Sequence, residues 1–126
     1  MRIPLLIVLL AAIPVLASAE GGPDISGDWA RSDGKTRIRV VSCGNQICAT
    51  NTWIRDPSGS EAVGDKLIMT LAPQGASTLA GSAYDVKRAA SYSLQISVQN
   101  DQMQTRGCML EGVVCKSLSW VRAQSQ

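Results

Sequence analysis

The chain has 126 residues, a formal net charge of +2 from 12 basic and 10 acidic side chains, and no histidine. A near-neutral balance of this kind argues against a nucleic-acid-binding surface. The missing histidine removes the commonest general base and metal ligand.

The N-terminus has the features of a secretory signal peptide, which is predicted to span residues 1–19. Arg2 supplies the positive charge, residues 3–16 are apolar apart from two prolines, and Ala17-Ser18-Ala19 offers small residues for cleavage. A membrane-spanning helix needs about 20 apolar residues, so we expect no stable membrane insertion after cleavage. The mature chain is predicted to be a single domain of residues 20–126 (126 − 19 = 107 residues) in the periplasm or outside the cell.

Short strand patterns separated by turn residues recur along the mature chain, without an extended helical period. Eight strands are predicted, at Asp28–Arg31, Lys35–Cys43, Gln46–Arg55, Lys66–Leu71, Thr78–Tyr84, Ser91–Val98, Gln102–Cys108 and Cys115–Ala123. Eight strands joined mostly by tight turns are typical of an all-β fold, a small antiparallel up-and-down barrel. A two-sheet sandwich is the alternative, because the hydrophobic pattern alone does not show whether the sheet closes.

The four cysteines lie in two local pairs that flank predicted hairpin turns. Cysteines of an exported chain normally oxidise, and we favour the pairs Cys43–Cys48 and Cys108–Cys115 over the two crossed pairings. Closing each short loop would stabilise the fold by about 2–2.5 kcal/mol. The alternative is a zinc site, but the spacings are C-x4-C and C-x6-C where zinc sites favour C-x2-C, so no metal and no cofactor is predicted.

The spacing from cysteine to tryptophan predicts sulfur outside the barrel and indole inside. Trp53 and Trp120 each lie five residues after a cysteine, and an odd offset in a regular strand places two side chains on opposite faces. With the cysteines of each hairpin directly opposite one another, Ile38 pairs with Trp53 and Met103 pairs with Trp120.

The predicted interior is bulky, which favours a filled or nearly filled barrel. The inward set is Ile38, Val40, Trp53, Leu67, Met69, Leu71, Tyr92, Leu94, Ile96, Val98, Met103, Leu118 and Trp120. The candidate ligand contacts in this set are Ile38, Trp53, Met69, Tyr92, Met103 and Trp120. Asn51, Lys66 and Lys116 are candidate polar groups at a barrel mouth.

The cysteine blocks extend into longer motifs at both ends of the mature chain. The first contains Gly27-Asp28-Trp29, Asp33-Gly34-Lys35-Thr36-Arg37-Ile38-Arg39-Val40 and Trp53-Ile54-Arg55-Asp56-Pro57; the second contains Arg106-Gly107-Cys108-Met109-Leu110 and Trp120-Val121-Arg122. Together they resemble a bacterial domain-of-unknown-function family, number 2147. That family has no established activity, so the resemblance implies an exported location and a fold, without a reaction.

A second resemblance concerns the two ends of the predicted sheet. Gly27-x-Trp29 on the first strand and Arg122 near the end of the last strand resemble the lipocalin arrangement, in which an arginine covers a tryptophan and closes one barrel end. The resemblance implies a cation–π contact between Trp29 and Arg122, worth about 0.5–2 kcal/mol.

The sequence offers little for catalysis. It has no Gly-x-Ser-x-Gly elbow, and the carboxylates Asp33, Asp56, Asp85 and Asp101 fall mainly in turns, where they cap backbone amides. No catalytic residue is predicted, and a hydrolase using these carboxylates is the least favoured hypothesis.

We expect a non-enzymatic barrel that binds a small apolar ligand or an envelope component. The alternative is a structural or protein-interaction role in the bacterial envelope without a ligand.

Overall fold

Alternating sequences and turn glycines produce eight antiparallel strands in the computed structural model, which describes residues 2–11 and 21–124. The strands are β1 (Gly27–Arg31), β2 (Thr36–Cys43), β3 (Gln46–Ile54), β4 (Lys66–Pro73), β5 (Thr78–Asp85), β6 (Ala90–Gln99), β7 (Gln102–Met109) and β8 (Val114–Ala123). They follow one another around a closed barrel, and β8 pairs with β1 so that Trp29 lies opposite Arg122. This last pairing confirms the barrel and excludes the sandwich.

The N-terminal segment stands apart from the barrel. Residues 2–11 have no regular secondary structure, and most of their apolar side chains are exposed. The predicted cleavage motif Ala17-Ser18-Ala19 lies outside the described residues. Within the parts of the chain that are described, no helix has the length and hydrophobicity needed to span a membrane.

Both predicted disulfides are present. Cys43–Cys48 and Cys108–Cys115 join residues five and seven positions apart in the sequence, and none of the described cysteines is free. In the second hairpin the cysteines are directly opposite one another, and Met103 pairs with Trp120 as predicted.

The register of the first hairpin differs from the prediction. A two-residue turn at Gly44-Asn45, in which Gly44 has a φ of +70°, pairs Cys43 with Gln46 and places Cys48 opposite Val41. The disulfide therefore joins diagonal neighbours on the outer face, whose Cα atoms lie 5.8 Å apart, a usual distance for a disulfide.

The predicted inward set forms the core with one exception, Trp53. All of the other predicted residues belong to the hydrophobic cluster, joined by Ile25, Trp29, Ile47, Ala49, Leu79 and Ala83. Trp53 is 44% exposed on the outer wall, so the prediction that both indoles face inward is wrong for this residue.

A β-bulge explains the outward direction of Trp53. The ladder pairs Ile38 with Asn51 but Arg37 with Trp53, which leaves Thr52 as an extra residue and reverses the facing of all that follows. On the side of β3 that faces β4, the Asn51 N–H donates to the Asp65 carbonyl over 2.9 Å.

The barrel has two unlike ends. The β2–β3, β4–β5 and β6–β7 turns lie at one end, which we call the closed end because the segment before β1 crosses it and buries Ile25 there. The other end, the mouth, carries the β1–β2 turn, the β3–β4 loop of residues 55–65, the β5–β6 turn and the β7–β8 connection. That connection includes a short 3-10 turn, Leu110–Gly112.

Candidate functional site

The barrel interior holds a cavity of about 390 Å³, so the expectation of a filled core is wrong. Its lining is almost wholly apolar and consists of Ile25, Ile38, Val40, Ala49, Leu67, Met69, Tyr92, Leu94, Ile96, Met103, Thr105, Gly107, Met109, Val114, Cys115, Lys116, Leu118 and Trp120. Two features contribute to this space: the bulge turns Trp53 away from the interior, and the small residue Ala49 occupies an inward position.

The ring of Tyr92 packs directly against Gly107 in the wall of this cavity. A Cβ atom at Gly107 would lie 2.8 Å from Cε2 of Tyr92, closer than a side chain tolerates. Burial raises the pKa of Tyr92, and the nearby charge of Asp85 raises it further against the opposing effect of Arg88. The phenol therefore stays neutral at the mouth over the physiological range.

The indole nitrogen of Trp120, the largest residue that lines the cavity, has a hydrogen-bond partner in the barrel wall. Trp120 Nε1 donates to Thr105 Oγ1 over 3.1 Å. No buried side-chain nitrogen or oxygen in the described residues lacks a hydrogen-bond partner. Away from the mouth, the cavity therefore offers an occupant apolar contact and few hydrogen bonds.

A polar vestibule of about 700 Å³ lies above the cavity at the mouth. Seven residues line both spaces, which makes them continuous: Ile38, Ala49, Leu67, Tyr92, Lys116, Leu118 and Trp120. The vestibule is further lined by charged residues from three connections and from the strand ends beside them: Arg31, Lys35, Arg55, Asp56, Glu61, Asp65, Lys66, Asp85 and Arg88.

An ionic network at Arg31 holds the β3–β4 loop against the barrel wall. The guanidinium, which faces inward from β1 and is buried, donates to Glu61 at 2.9 and 3.3 Å and to Asp33 at 3.0 and 2.9 Å. Thr36 Oγ1 donates to Glu61 as well, over 3.1 Å. The Arg31 hydrogen bonds hold the pKa of Glu61 below its usual value, so the loop is tied down by a carboxylate that stays ionised.

The other three vestibule carboxylates also have partners. Asp85 forms an ion pair with Arg88 over 2.8 Å, and Asp56 accepts hydrogen bonds from the backbone and hydroxyl of Ser58. Asp65 lies 3.5 Å from the ammonium of Lys87. The negative charges of the vestibule are thus engaged within the protein.

Two of the turn carboxylates, Asp33 and Asp56, have lowered pKa values. Hydrogen bonds from Arg31 and Ser58 lower the pKa values of Asp33 and Asp56, respectively, whereas a carboxyl that acts as a general acid needs a raised pKa. Among the described residues, no group of three or more acidic or cysteine side chains is placed to hold a metal ion.

At the closed end the structure brings Trp29 and Arg122 together. The guanidinium carbon of Arg122 lies 4.2 Å from the centroid of the Trp29 ring. Arg122 also donates to the carbonyls of Ser26 and Asp24, while the fully buried indole of Trp29 donates to the Ile25 carbonyl. The segment before β1 is therefore fastened over this end of the cavity.

Comparison with known proteins identifies the family. The model of a family described as uncharacterised proteins conserved in bacteria, DUF2147, matches residues 27–122. The chain belongs to the DUF2147 family. No curated protein and no solved structure matches the chain. The match runs from the first residue of β1 to Arg122 of β8, so both disulfides and the Trp29–Arg122 contact of this DUF2147 protein lie inside the family region.

Five of the six candidate contacts predicted from the sequence line the cavity of the DUF2147 barrel, namely Ile38, Met69, Tyr92, Met103 and Trp120. The sixth, Trp53, instead borders an external groove beside Ala30 and Arg37. Asn51, Lys66 and Lys116 all line the vestibule.

Sequence reasoning missed the Arg31–Glu61 network and the contribution of Ile25. Arg31 lies two residues after Trp29, so the period of two in β1 already placed it on the inner face. Glu61 and Ile25 lie outside the strands, where no sequence period assigns a direction.

Proposed function

We propose that this DUF2147 protein is a non-enzymatic carrier or sensor that binds a small apolar ligand inside its barrel, in the bacterial periplasm. The observation that supports this function is the apolar cavity of about 390 Å³, which opens to solvent through the vestibule. Small-molecule sites are typically mostly apolar spaces of about 300–1,000 Å³ with a few polar groups at defined places.

Burial of the ligand provides the binding energy. Each methylene transferred from water to an apolar interior contributes about 0.8 kcal/mol. Because Thr105 already accepts the Trp120 N–H, a ligand loses no hydrogen bond by contacting that indole. An aliphatic or aromatic molecule therefore suits the cavity away from its mouth better than a sugar or a nucleotide.

The test is titration with a neutral, environment-sensitive dye such as Nile red. We expect saturable fluorescence enhancement, which Ala49→Leu weakens by at least tenfold because the new side chain enters the cavity. Ala72→Leu is the matched control: Ala72 is exposed on β4, and its substitution should leave the affinity unchanged.

Brominated ligands provide a second readout that does not depend on the variants. A brominated alkanol should quench the emission of Trp120, whereas the unbrominated alkanol should not. Folded wild-type protein that shows neither saturable dye binding nor bromine quenching would refute a ligand-binding role.

The proposed location rests on the N-terminal sequence and on the disulfides. The apolar run of residues 3–16 leads to Ala17-Ser18-Ala19, and the two disulfides suit an oxidising compartment. We expect intact-mass analysis of the periplasmic fraction to find a chain that begins at Glu20 and lacks four thiol hydrogens. A full-length chain with free thiols in the cytoplasm would contradict export.

A second candidate function is a protein-interaction role in the bacterial envelope. Leu110 and Val113 are 73% and 80% exposed in the β7–β8 connection, and exposed apolar residues at one place often mark contact surfaces. A photo-crosslinking residue at Val113 should then give one discrete adduct in cells, which Leu110→Ser removes. The same photo-crosslinking residue in place of Ser119, which is exposed on β8, should give no adduct. An identical pattern at both positions would argue against this role.

A further inference from the structure

We propose that the ligand is an anionic amphiphile, with a single alkyl chain in the cavity and a carboxylate or phosphate head at Lys116. This inference rests on the proposed ligand-binding function and specifies its ligand class. It follows from the positions of the charged vestibule residues relative to the apolar cavity.

The vestibule carries more positive than negative charge. Its lining includes six cations, Arg31, Lys35, Arg55, Lys66, Arg88 and Lys116, and four carboxylates, Asp56, Glu61, Asp65 and Asp85. All four carboxylates accept hydrogen bonds or ion pairs, as described above. Arg31 and Arg88 are themselves paired with Glu61 and Asp85, so an anionic head entering the vestibule meets a net positive surface that the remaining cations supply.

Lys116 has the position that a head-group contact requires. Of the seven residues that line both the cavity and the vestibule, it alone is charged. It follows the inward period of Leu118 and Trp120 on β8, and it lies opposite Gly107, which has no side chain to cover it. A chain in the cavity thus places its head within reach of this ammonium group.

Lys116 has no direct polar contact with the part of the chain that the structure describes. Within the described residues, its ammonium forms no ion pair and no hydrogen bond. The acid whose pKa its charge lowers, Glu61, is already held by Arg31 and Thr36. A compact ammonium on a flexible stem can follow heads of different shape, so both carboxylate and phosphate fit.

Competition against the neutral dye separates head from chain. The probes are decanoate, decyl phosphate, decanol and decyltrimethylammonium, each below its micelle concentration, together with acetate and inorganic phosphate. We expect one or both long-chain anions to displace the dye at least tenfold more tightly than decanol, and the cation to be weakest. Whichever anion is tighter identifies the head. Acetate and inorganic phosphate should not compete, because they bury no chain.

Substitution of Lys116 locates the selectivity. Lys116→Met should remove the advantage of the anions over decanol. The control is Arg106→Met, which removes the same charge from an exposed position next to Gly107 on β7. Affinity should also rise about fourfold for each methylene from hexanoate to decanoate, which is the 0.8 kcal/mol of one buried methylene.

The outcomes distinguish the two proposals. If neither decanol nor the anions displace the dye, and the brominated alkanol does not quench Trp120, the ligand-binding function itself fails. If decanol binds as tightly as the anions, or if Arg106→Met and Lys116→Met have equal effects, only the anionic head is refuted. Competition by inorganic phosphate alone would also refute it, since that result would indicate a simple anion site.

Discussion

The guanidinium of Arg122 covers the indole of Trp29 with 4.2 Å between its central carbon and the ring centroid. The two residues are also opposite one another in the ladder between β8 and β1. The contact therefore stands on the seam that closes the barrel. It also fastens the segment before β1, through the carbonyls of Ser26 and Asp24.

Removal of Arg122 should weaken the contact between β8 and β1 and so destabilise the barrel. We expect Arg122→Ala to lower the free energy of unfolding by about 1–3 kcal/mol, because the cation–π contact and two charge-assisted hydrogen bonds are lost. Urea denaturation measures the change. Arg106→Ala, an exposed cation on β7, should cost less than about 0.5 kcal/mol. Equal losses in the two variants would show that the Trp29 contact contributes nothing specific.

Trp53 and Trp120 each lie five residues after a cysteine, but their substitution should lower the free energy of unfolding by different amounts. Trp120→Ala empties a buried site in the core and should cost about 3–5 kcal/mol. Trp53→Ala should cost only about 1 kcal/mol, since its half-exposed indole offers little more than a cross-strand contact with Arg37. Thermal and urea unfolding of both variants test this, and a Trp53→Ala loss as large as that of Trp120→Ala would contradict the outward orientation.

Both disulfides should contribute to stability under oxidising conditions. Cys48→Ser and Cys115→Ser are each expected to lower the free energy of unfolding by about 2–4 kcal/mol, chiefly because the unfolded chain regains freedom. Reduction of the wild-type protein should lower its melting temperature further than either single change. A melting temperature that stays the same after either substitution would mean that the bond in question does not persist in the folded protein.

Stability should decline in acid through the Arg31–Glu61 network. The folded-state pKa of Glu61 is lowered by the Arg31 hydrogen bonds from an ordinary value of 4.5, so the unfolded chain binds a proton first as pH falls. The stabilisation is therefore complete above about pH 5 and disappears as the pH falls through the folded pKa. Asp33, whose pKa Arg31 also lowers, adds to the same acid dependence.

Glu61→Gln tests this pH dependence. We expect urea unfolding between pH 7 and pH 3 to show a shallower acid loss for the variant than for the wild-type protein, because the Arg31 partner no longer titrates. Glu111→Gln in the exposed β7–β8 connection should keep the wild-type slope. Parallel profiles for wild type and Glu61→Gln would assign the acid loss to other groups.

Much of the barrel was predictable because its causes are local. Alternation along Thr36–Cys43 and Ala90–Gln99 fixed which side chains face inward, and short-range pairing fixed both disulfides. The direct opposition of Cys108 and Cys115 then gave the Met103–Trp120 pair correctly. The same reasoning failed for Trp53, because one extra residue at Thr52 reverses the facing of a strand.

The sequence by itself determined eight strands, two local disulfides, and the inward face of most of the sheet, since each depends on residues a few positions apart. Only the tertiary structure decided that β8 meets β1, that the β3–β4 loop is anchored through Asn51 and Glu61, and that a cavity remains beside Trp120. Those features depend on contacts between distant segments. The empty volume in particular is the small difference between the size of the barrel and the summed size of all the side chains that point into it.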